Sequence, residues 1–159
     1  MKIRQLWKAC AHLALACMLA AVAAAQERDL GLDGYVGKSP DKQFLALPEV
    51  HDPLARLLGD RLEPFLSRFQ VLRPIDRVSR DIVAQGCVRN NCADEQAAFA
   101  IDLDTGTATA ASLTQGRYMD IYSKSTRSYD DLPPGLRHWI SSRTSQSSRF
   151  RHLKFRFFK

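Results

Sequence analysis

The sequence contains few of the residues and motifs from which metal sites and catalytic sites are built. It has 4 histidines and 4 cysteines. His51, His138 and His152 lie far apart, without the short spacing that is typical of zinc ligands. No serine, cysteine or lysine lies in a recognised nucleophile motif, and there is no glycine-rich phosphate-binding loop. We therefore predict a protein that is not an enzyme and that binds no metal and no other cofactor.

One tripeptide, Asp104-Thr105-Gly106, matches the active-site triplet of the aspartic proteases. Their chemistry needs two such carboxyl groups that share a proton, and the sequence has no second triplet. The tripeptide also lies between two predicted strands, at a point where a hairpin turn is required. We therefore interpret it as a turn.

The apolar stretch near the N-terminus, residues 9–19, is short for a transmembrane helix, which needs about 20 apolar residues. Three basic residues precede this stretch, and an Ala-Ala-Ala tripeptide ends the apolar region just before Gln26. The pattern predicts a secretory signal peptide over residues 1–25 and a periplasmic mature protein. Cys10 and Cys17 lie inside the predicted signal peptide and are expected to be removed with it.

The formal charge of +6 is unevenly distributed along the chain. Three basic residues lie in the predicted signal peptide and six lie in residues 143–159. Between them, residues 26–140 contain 14 basic and 17 acidic residues, a charge of about −3. The predicted domain is therefore mildly acidic, which favours a basic partner only weakly.

Behind the signal peptide, three segments are predicted. Residues 26–51 are rich in glycine, aspartate and lysine without a sustained period, which is typical of an extended arm. Residues 52–142 are long enough for a single domain with a core. Residues 143–159 form a basic, aromatic tail.

The domain begins with a predicted amphipathic helix. Asp52-Pro53 supplies a capping residue and a proline at the first helical position. Gly59 and Pro64 are expected to bend or divide this helix, because proline removes a hydrogen-bond donor. Its apolar residues recur at steps of three and four and form one face: Leu54, Leu57, Leu58, Leu62, Phe65, Leu66 and Phe69.

In the second half of the domain, apolar residues recur at every second position, as they do in β-strands. Residues 97–103 show the period of two that is typical of a half-buried strand, and turn residues separate them from strands over 107–113 and 117–122. A short helix over 132–140 follows, with prolines suited to its first turn. We predict an α+β fold, in which an antiparallel meander packs against the N-terminal helix and a short helix closes the chain.

The segment between the predicted strands contains the two cysteines that remain after export, Cys87 and Cys92. In an oxidising compartment, two thiols this close in sequence are expected to form a disulfide. Redox catalysis normally uses two intervening residues, whereas this segment has four. A disulfide that closes so small a ring removes little conformational entropy from the unfolded chain and therefore stabilises the fold only modestly. It is expected to shape a protruding loop rather than to hold the fold.

Around this loop, the segment from about Ile82 to Phe99 resembles the inhibitor of vertebrate lysozyme (Ivy) family. The resemblance implies a periplasmic α+β protein in which a strand leads into a disulfide-closed Cys-x4-Cys loop. In that family the loop reads Cys-Lys-Pro-His-Asp-Cys and plugs the lysozyme active-site cleft, where its His and Asp bond to the catalytic carboxyl groups. In this sequence Arg89 stands in place of the Pro, Asn90 in place of the His and Asn91 in place of the Asp.

The resemblance and the loop chemistry together predict a partner-binding loop at Val88, Arg89, Asn90 and Asn91. Guanidinium and amide groups donate hydrogen bonds, and a cleft built around two carboxyl groups accepts them. The predicted partner is lysozyme or a related glycan hydrolase. The alternative from the same residues is a crosslinked, exposed turn that binds nothing.

The tail supports a second hypothesis, that of a non-catalytic protein of the cell envelope. Basic and aromatic residues alternate there, and such a segment binds anionic lipid or lipopolysaccharide. The alternative is a disordered, solvated end. Nucleic acid is not expected as a partner of an exported chain. The candidate residues for an anionic surface are Arg149, Arg151, Lys154, Arg156 and Lys159.

Overall fold

A computed structural model describes residues 30–146 and 152–159, with the side chains described for 30–143 and 152–159. The predicted signal peptide over residues 1–25 lies outside the described residues. Arg149 and Arg151 of the predicted tail also lie outside them.

A seven-stranded sheet forms the centre of the molecule. Its strands follow the spatial order β1-β3-β4-β5-β6-β7, and β2 pairs with β3 on the same side as β1. All paired neighbours are antiparallel except β6 and β7, which are parallel. The predicted α+β class with its antiparallel meander is confirmed. The strands are β1 (Val71–Leu72), β2 (Asp76–Val78), β3 (Asp81–Cys87), β4 (Gln96–Asp102), β5 (Ala108–Thr114), β6 (Tyr118–Tyr122) and β7 (Lys154–Phe158).

Helices cover both faces of this sheet. Three of them precede it in the chain and lie on one face: α1 (Lys42–Leu45), α2 (Pro48–Leu58) and α3 (Leu62–Leu66). The fourth, α4 (Pro134–Gln146), lies on the other face. Because both faces are covered, β4 is buried along almost its whole length rather than half-buried as its alternation predicted.

The first core lies between the sheet and the N-terminal helices. Phe99 and Ile101 of β4 pack there with Leu54 and Leu58 of α2 and with Phe65 of α3. The helix predicted from Asp52 begins at Pro48 instead, because Pro48 is also suited to a first turn and Val50 is buried in the core. Gly59 ends α2 with a φ of 53°, so the predicted division of the helix is found.

Residues 30–51 do not form the extended arm that their composition predicted. A 3₁₀-helix spans Leu32–Tyr35, and α1 is capped by Asp41, whose Oδ1 accepts a hydrogen bond of 2.9 Å from the Phe44 amide. Leu32 and Phe44 are fully buried in the first core. The prediction was wrong because isolated apolar residues hold this segment against the core. Isolated apolar residues give no periodic hydrophobic pattern in the sequence.

The second core lies between the sheet and α4. Leu136, Trp139 and Ile140 form the predicted apolar face of this helix and pack with Ala98 and Ala100 of β4. Gly135 allows the close approach, since a Cβ at this position would overlap the Val83 side chain of β3. Within residues 30–146 and 152–159, no helix has the length and apolar character needed to span a membrane.

The end of the chain is part of the sheet. Residues 154–158, predicted as a disordered end or a free tail, form β7 beside β6. Phe158 stacks on Tyr122 with ring centroids 5.2 Å apart, and the Arg156 Nη2 donates to Asp120 Oδ2 at 2.7 Å. The alternation of cations and aromatics in this segment is therefore the period of a strand, in which Arg156 and Phe158 share one face.

Candidate functional site

The candidate site is the connection between β3 and β4. Cys87 ends β3 directly opposite Gln96, the first residue of β4. The predicted disulfide joins Cys87 to Cys92, with their Cα atoms 4.9 Å apart. We call residues 87–92 the cysteine loop.

A tight turn forms the tip of the cysteine loop. The Asn91 amide donates to the Val88 carbonyl at 2.9 Å, and Asn90 occupies the third position of the turn with a φ of 62°. Asparagine adopts this left-handed conformation more readily than most residues. As a result Arg89, Asn90 and Asn91 are exposed together at the tip, while Val88 and both cysteines are half-buried.

Neighbouring elements hold the base of the loop. The Arg89 amide donates to Gln70 Oε1 at 3.1 Å. Beyond Cys92, the Glu95 carboxylate pairs with Arg68 at 3.1 Å and accepts a hydrogen bond of 2.9 Å from the Gln115 amide. The loop is therefore tied to the segment after α3 and to the turn between β5 and β6.

A third tie comes from α4 on the opposite face of the sheet. The Arg143 Nε donates to Gln96 Oε1 at 2.7 Å, and the Gln96 Nε2 in turn donates to the Cys92 carbonyl at 2.5 Å. Arg143 also donates to Gln85 at 3.2 Å and lies over the ring of Trp139. The sequence assigned Arg143 to the tail, whereas the structure places it in α4, where it supports the loop. Arg143 lies far from Cys92 in the sequence, so no local sequence pattern could indicate this contact.

The tip presents hydrogen-bond donors and one positive charge. The Arg89 guanidinium has no ion-pair partner among residues 30–143 and 152–159, and Arg117 is exposed in the adjacent turn. Burial lowers the pKa of Arg143, and the nearby Arg73 lowers it further. The exposed donors at the tip and the charges of Arg89 and Arg117 are suited to hydrogen-bond acceptors and carboxylates.

The other candidate residues lie apart from the cysteine loop or have a structural role. Asp104-Thr105-Gly106 forms the turn between β4 and β5, as predicted, with Gly106 at a φ of 65°. Arg156 is paired with Asp120 and lies over the Tyr118 ring at 4.5 Å. Lys154 and Lys159 are exposed. No group of three or more histidine, cysteine, aspartate or glutamate residues in the described part of the chain could hold a metal ion.

A family model described as inhibitor of vertebrate lysozyme (Ivy) matches residues 49–146. The match covers more than half of the chain, from the start of α2 to the end of α4, and includes the whole cysteine loop. Comparisons with curated proteins and with solved structures gave no significant match.

Proposed function

This chain belongs to the inhibitor of vertebrate lysozyme (Ivy) family, a family of inhibitors rather than of catalysts, and we propose that it inhibits lysozyme by inserting the cysteine loop into the active-site cleft. The observation that supports this most strongly is the exposed tip formed by Arg89, Asn90 and Asn91 on a loop tied at its base. A loop held in this way loses little conformational entropy when it enters a cleft.

The chemistry of the tip complements that of the target. A glycoside hydrolase of this type works with two carboxyl groups, one of which must be protonated to act as the general acid. The Arg89 guanidinium placed beside that acid would lower its pKa and remove the proton that catalysis needs. The Asn90 and Asn91 amides would donate hydrogen bonds to the same carboxyl groups. Inhibition would therefore combine steric occlusion with loss of the general acid.

Asn90 and Asn91 replace the His and Asp of the family loop, and the turn accommodates the first of these changes. The φ of 62° at position 90 favours asparagine over a β-branched residue. An amide also donates a hydrogen bond without having to be protonated. We therefore expect inhibition by this chain to depend less on pH than inhibition through a histidine.

An activity assay on loop variants tests this proposal. The double variant Arg89→Ala/Asn90→Ala is expected to lose at least tenfold in inhibitory potency against lysozyme and to stay folded, with a melting temperature only a few degrees lower because alanine is strained at a φ of 62°. The matched control Arg56→Ala/Gln43→Ala removes the same types of group from exposed positions on α2 and α1 and is expected to inhibit as the wild type does. Wild-type potency in the loop variant would overturn the insertion mechanism.

We also propose that the chain acts in the periplasm after cleavage before Gln26. A disulfide next to an exposed functional loop is consistent with an oxidising compartment. Fractionation of expressing bacteria, with N-terminal sequencing of the periplasmic protein, tests this proposal. An uncleaved protein retained in the cytoplasm would contradict it.

A second candidate function is contact with an anionic envelope surface through β7. Phe155 and Phe157 are each 39% exposed on this strand, with Lys154 and Lys159 beside them. Exposed aromatics next to lysines suit the interface of an anionic lipid bilayer. Lys154→Ala/Lys159→Ala is expected to reduce sedimentation with phosphatidylglycerol vesicles, and Lys38→Ala/Lys42→Ala serves as the control. Equal sedimentation of both variants would exclude this role.

A further inference from the structure

A polar cleft of about 440 Å³ lies at the end of the sheet opposite the cysteine loop. Asp81 begins β3 and Asp102 ends β4, and the two residues are cross-strand partners. The strands are seven residues long, so the cleft and the cysteine loop are separated by roughly 20 Å. The segment that leads into α4, including Leu132, closes the cleft on the α4 face of the sheet.

The carboxyl groups in this cleft differ in their partners. Asp102 accepts hydrogen bonds of 3.0 Å from the Asp104 and Thr105 amides and pairs with Arg80 at 3.0 Å. Asp131 accepts from the Ser128 hydroxyl at 2.8 Å. Asp81 is only 4% exposed and lines the cleft, and among residues 30–143 and 152–159 only the charge of Arg80 acts favourably on its carboxylate.

A positive hydrogen-bond donor is the kind of group that would complement the carboxylate of Asp81. Burial raises the pKa of Asp81 to about 6, the neighbouring Asp102 acts in the same direction, and the positive charge of Arg80 offsets part of this shift. A buried carboxylate without a partner is costly, and a cation with N–H groups would offset that cost. Arg80, the cation that lines the cleft, already pairs with Asp102 and Asp104.

We propose that this cleft binds the head group of an organic cation, a guanidinium or a primary ammonium, through the carboxylate of Asp81. The cleft also presents the hydroxyl-bearing residues Thr109, Ser125 and Thr126, which supply acceptors for the remaining N–H groups. A metal ion is a poorer fit, because hard cations need several oxygen ligands close together. Among the described residues, no three or more histidine, cysteine, aspartate or glutamate side chains lie close enough together to hold a metal ion. The head group belongs either to a side chain of a partner protein or to a free polyamine.

Titration of the 26–159 protein at pH 7.5, followed by amide chemical shifts, tests the proposal with two probes. N-acetyl-arginine amide represents a protein side chain and spermidine represents a free polyamine. Binding of at least one probe, with shifts centred on Asp81 and Thr109, is expected. Binding of the capped arginine alone would assign the site to a partner protein, and binding of spermidine alone would assign it to a polyamine. No response to either probe would overturn the proposal.

The variant Asp81→Asn keeps the size of the side chain and removes its charge, and it is expected to weaken binding at least tenfold. Asp60→Asn makes the same change at an exposed position and is expected to bind as the wild type does. If Asp81→Asn does not fold, Asp81→Ser takes its place. Retained binding in the folded variant would overturn the assignment to Asp81. Because the cleft lies away from the cysteine loop, Asp81→Asn is expected to inhibit lysozyme normally, so the two proposals fail independently.

Discussion

The backbone of Asn90 shapes the cysteine loop, and its side chain is proposed to contact the target enzyme. Its φ of 62° lets the turn close with the Asn91 amide bonded to the Val88 carbonyl. Its exposed amide is a donor at the tip. Substitutions that separate these roles show which of them inhibition requires.

Replacing Asn90 by Gly retains the left-handed backbone and removes the amide. We expect the free energy of unfolding of Asn90→Gly to stay within about 1 kcal/mol of the wild type, with weaker inhibition. Asn90→Val is expected to lower the free energy of unfolding by about 1–2 kcal/mol, because a β-branched residue is strained at this φ. Urea denaturation and a lysozyme assay measure both effects. Full inhibition by Asn90→Gly would show that the side chain is dispensable.

We expect Asp81 to make the free energy of unfolding depend on pH. Its pKa is raised to about 6 in the folded protein, compared with about 3.9 in an unfolded chain. Between these values the folded state holds a proton that the unfolded state has lost, so stability falls as the pH rises from about 4 to 6. We expect a loss on the order of 1–2 kcal/mol after allowing for solvent screening. Denaturation measured between pH 4 and 6 should show a smaller fall in the free energy of unfolding for Asp81→Asn than for the wild type. An equal fall in both proteins would contradict the assignment of the pH dependence to Asp81.

At the scale of elements, α4 connects one face of the sheet to the cysteine loop. Arg143 reaches Gln96, and Gln96 reaches the Cys92 carbonyl. Arg143→Ala is expected to leave the fold intact and to weaken inhibition several-fold, because the loop is less well ordered before binding. Hydrogen exchange of the Asn91 amide should become faster in this variant. Arg137→Ala, on the same helix, is the control, and an unchanged inhibition constant in Arg143→Ala would show that the contact does not support the loop.

The strand β7 is held to the sheet by a partly buried ion pair. Asp120 is 5% exposed and its carboxylate pairs with Arg156. Arg156→Ala is expected to lower the melting temperature, since it leaves a buried carboxylate without a partner. Adding Asp120→Asn should restore part of the loss, and this can be measured by thermal denaturation. A double variant no more stable than Arg156→Ala would show that the charge of Asp120 is not the cause.

The elements that could be predicted from the sequence are those with a strong local period. The strands over 96–102 and 108–114, the turn at 104–106 and the apolar face of α4 all follow from local patterns. The strand β7 could not be predicted in the same way, because its partner β6 is more than 30 residues away in the chain and its charged residues indicated a free tail. Tertiary packing brings Arg143 to the cysteine loop and places Asp81 in the cleft. Neither position follows from a local sequence pattern.

At the scale of the whole molecule, the hydrophobic cores and the proposed inhibitory loop lie in different parts of the fold. Two cores, one on each face of the sheet, hold the fold without a covalent link. The disulfide closes a small ring at one end, and a ring of about six residues contributes only about 2 kcal/mol through chain entropy. The cleft around Asp81 lies at the other end of the sheet. We therefore expect the body to remain folded when the cysteine loop is altered.

Inhibition of lysozyme by the cysteine loop is tested most directly by measuring lysozyme activity against increasing amounts of the 26–159 protein. The protein is assayed first with its disulfide oxidised and then with it reduced. Enzymes of the c-type and the g-type are assayed separately, with circular dichroism to verify folding. We predict stoichiometric inhibition of at least one type by the oxidised protein, and a large loss of potency in the reduced protein while it remains folded. Absence of inhibition by the folded, oxidised protein, or equal inhibition after reduction, would contradict this account.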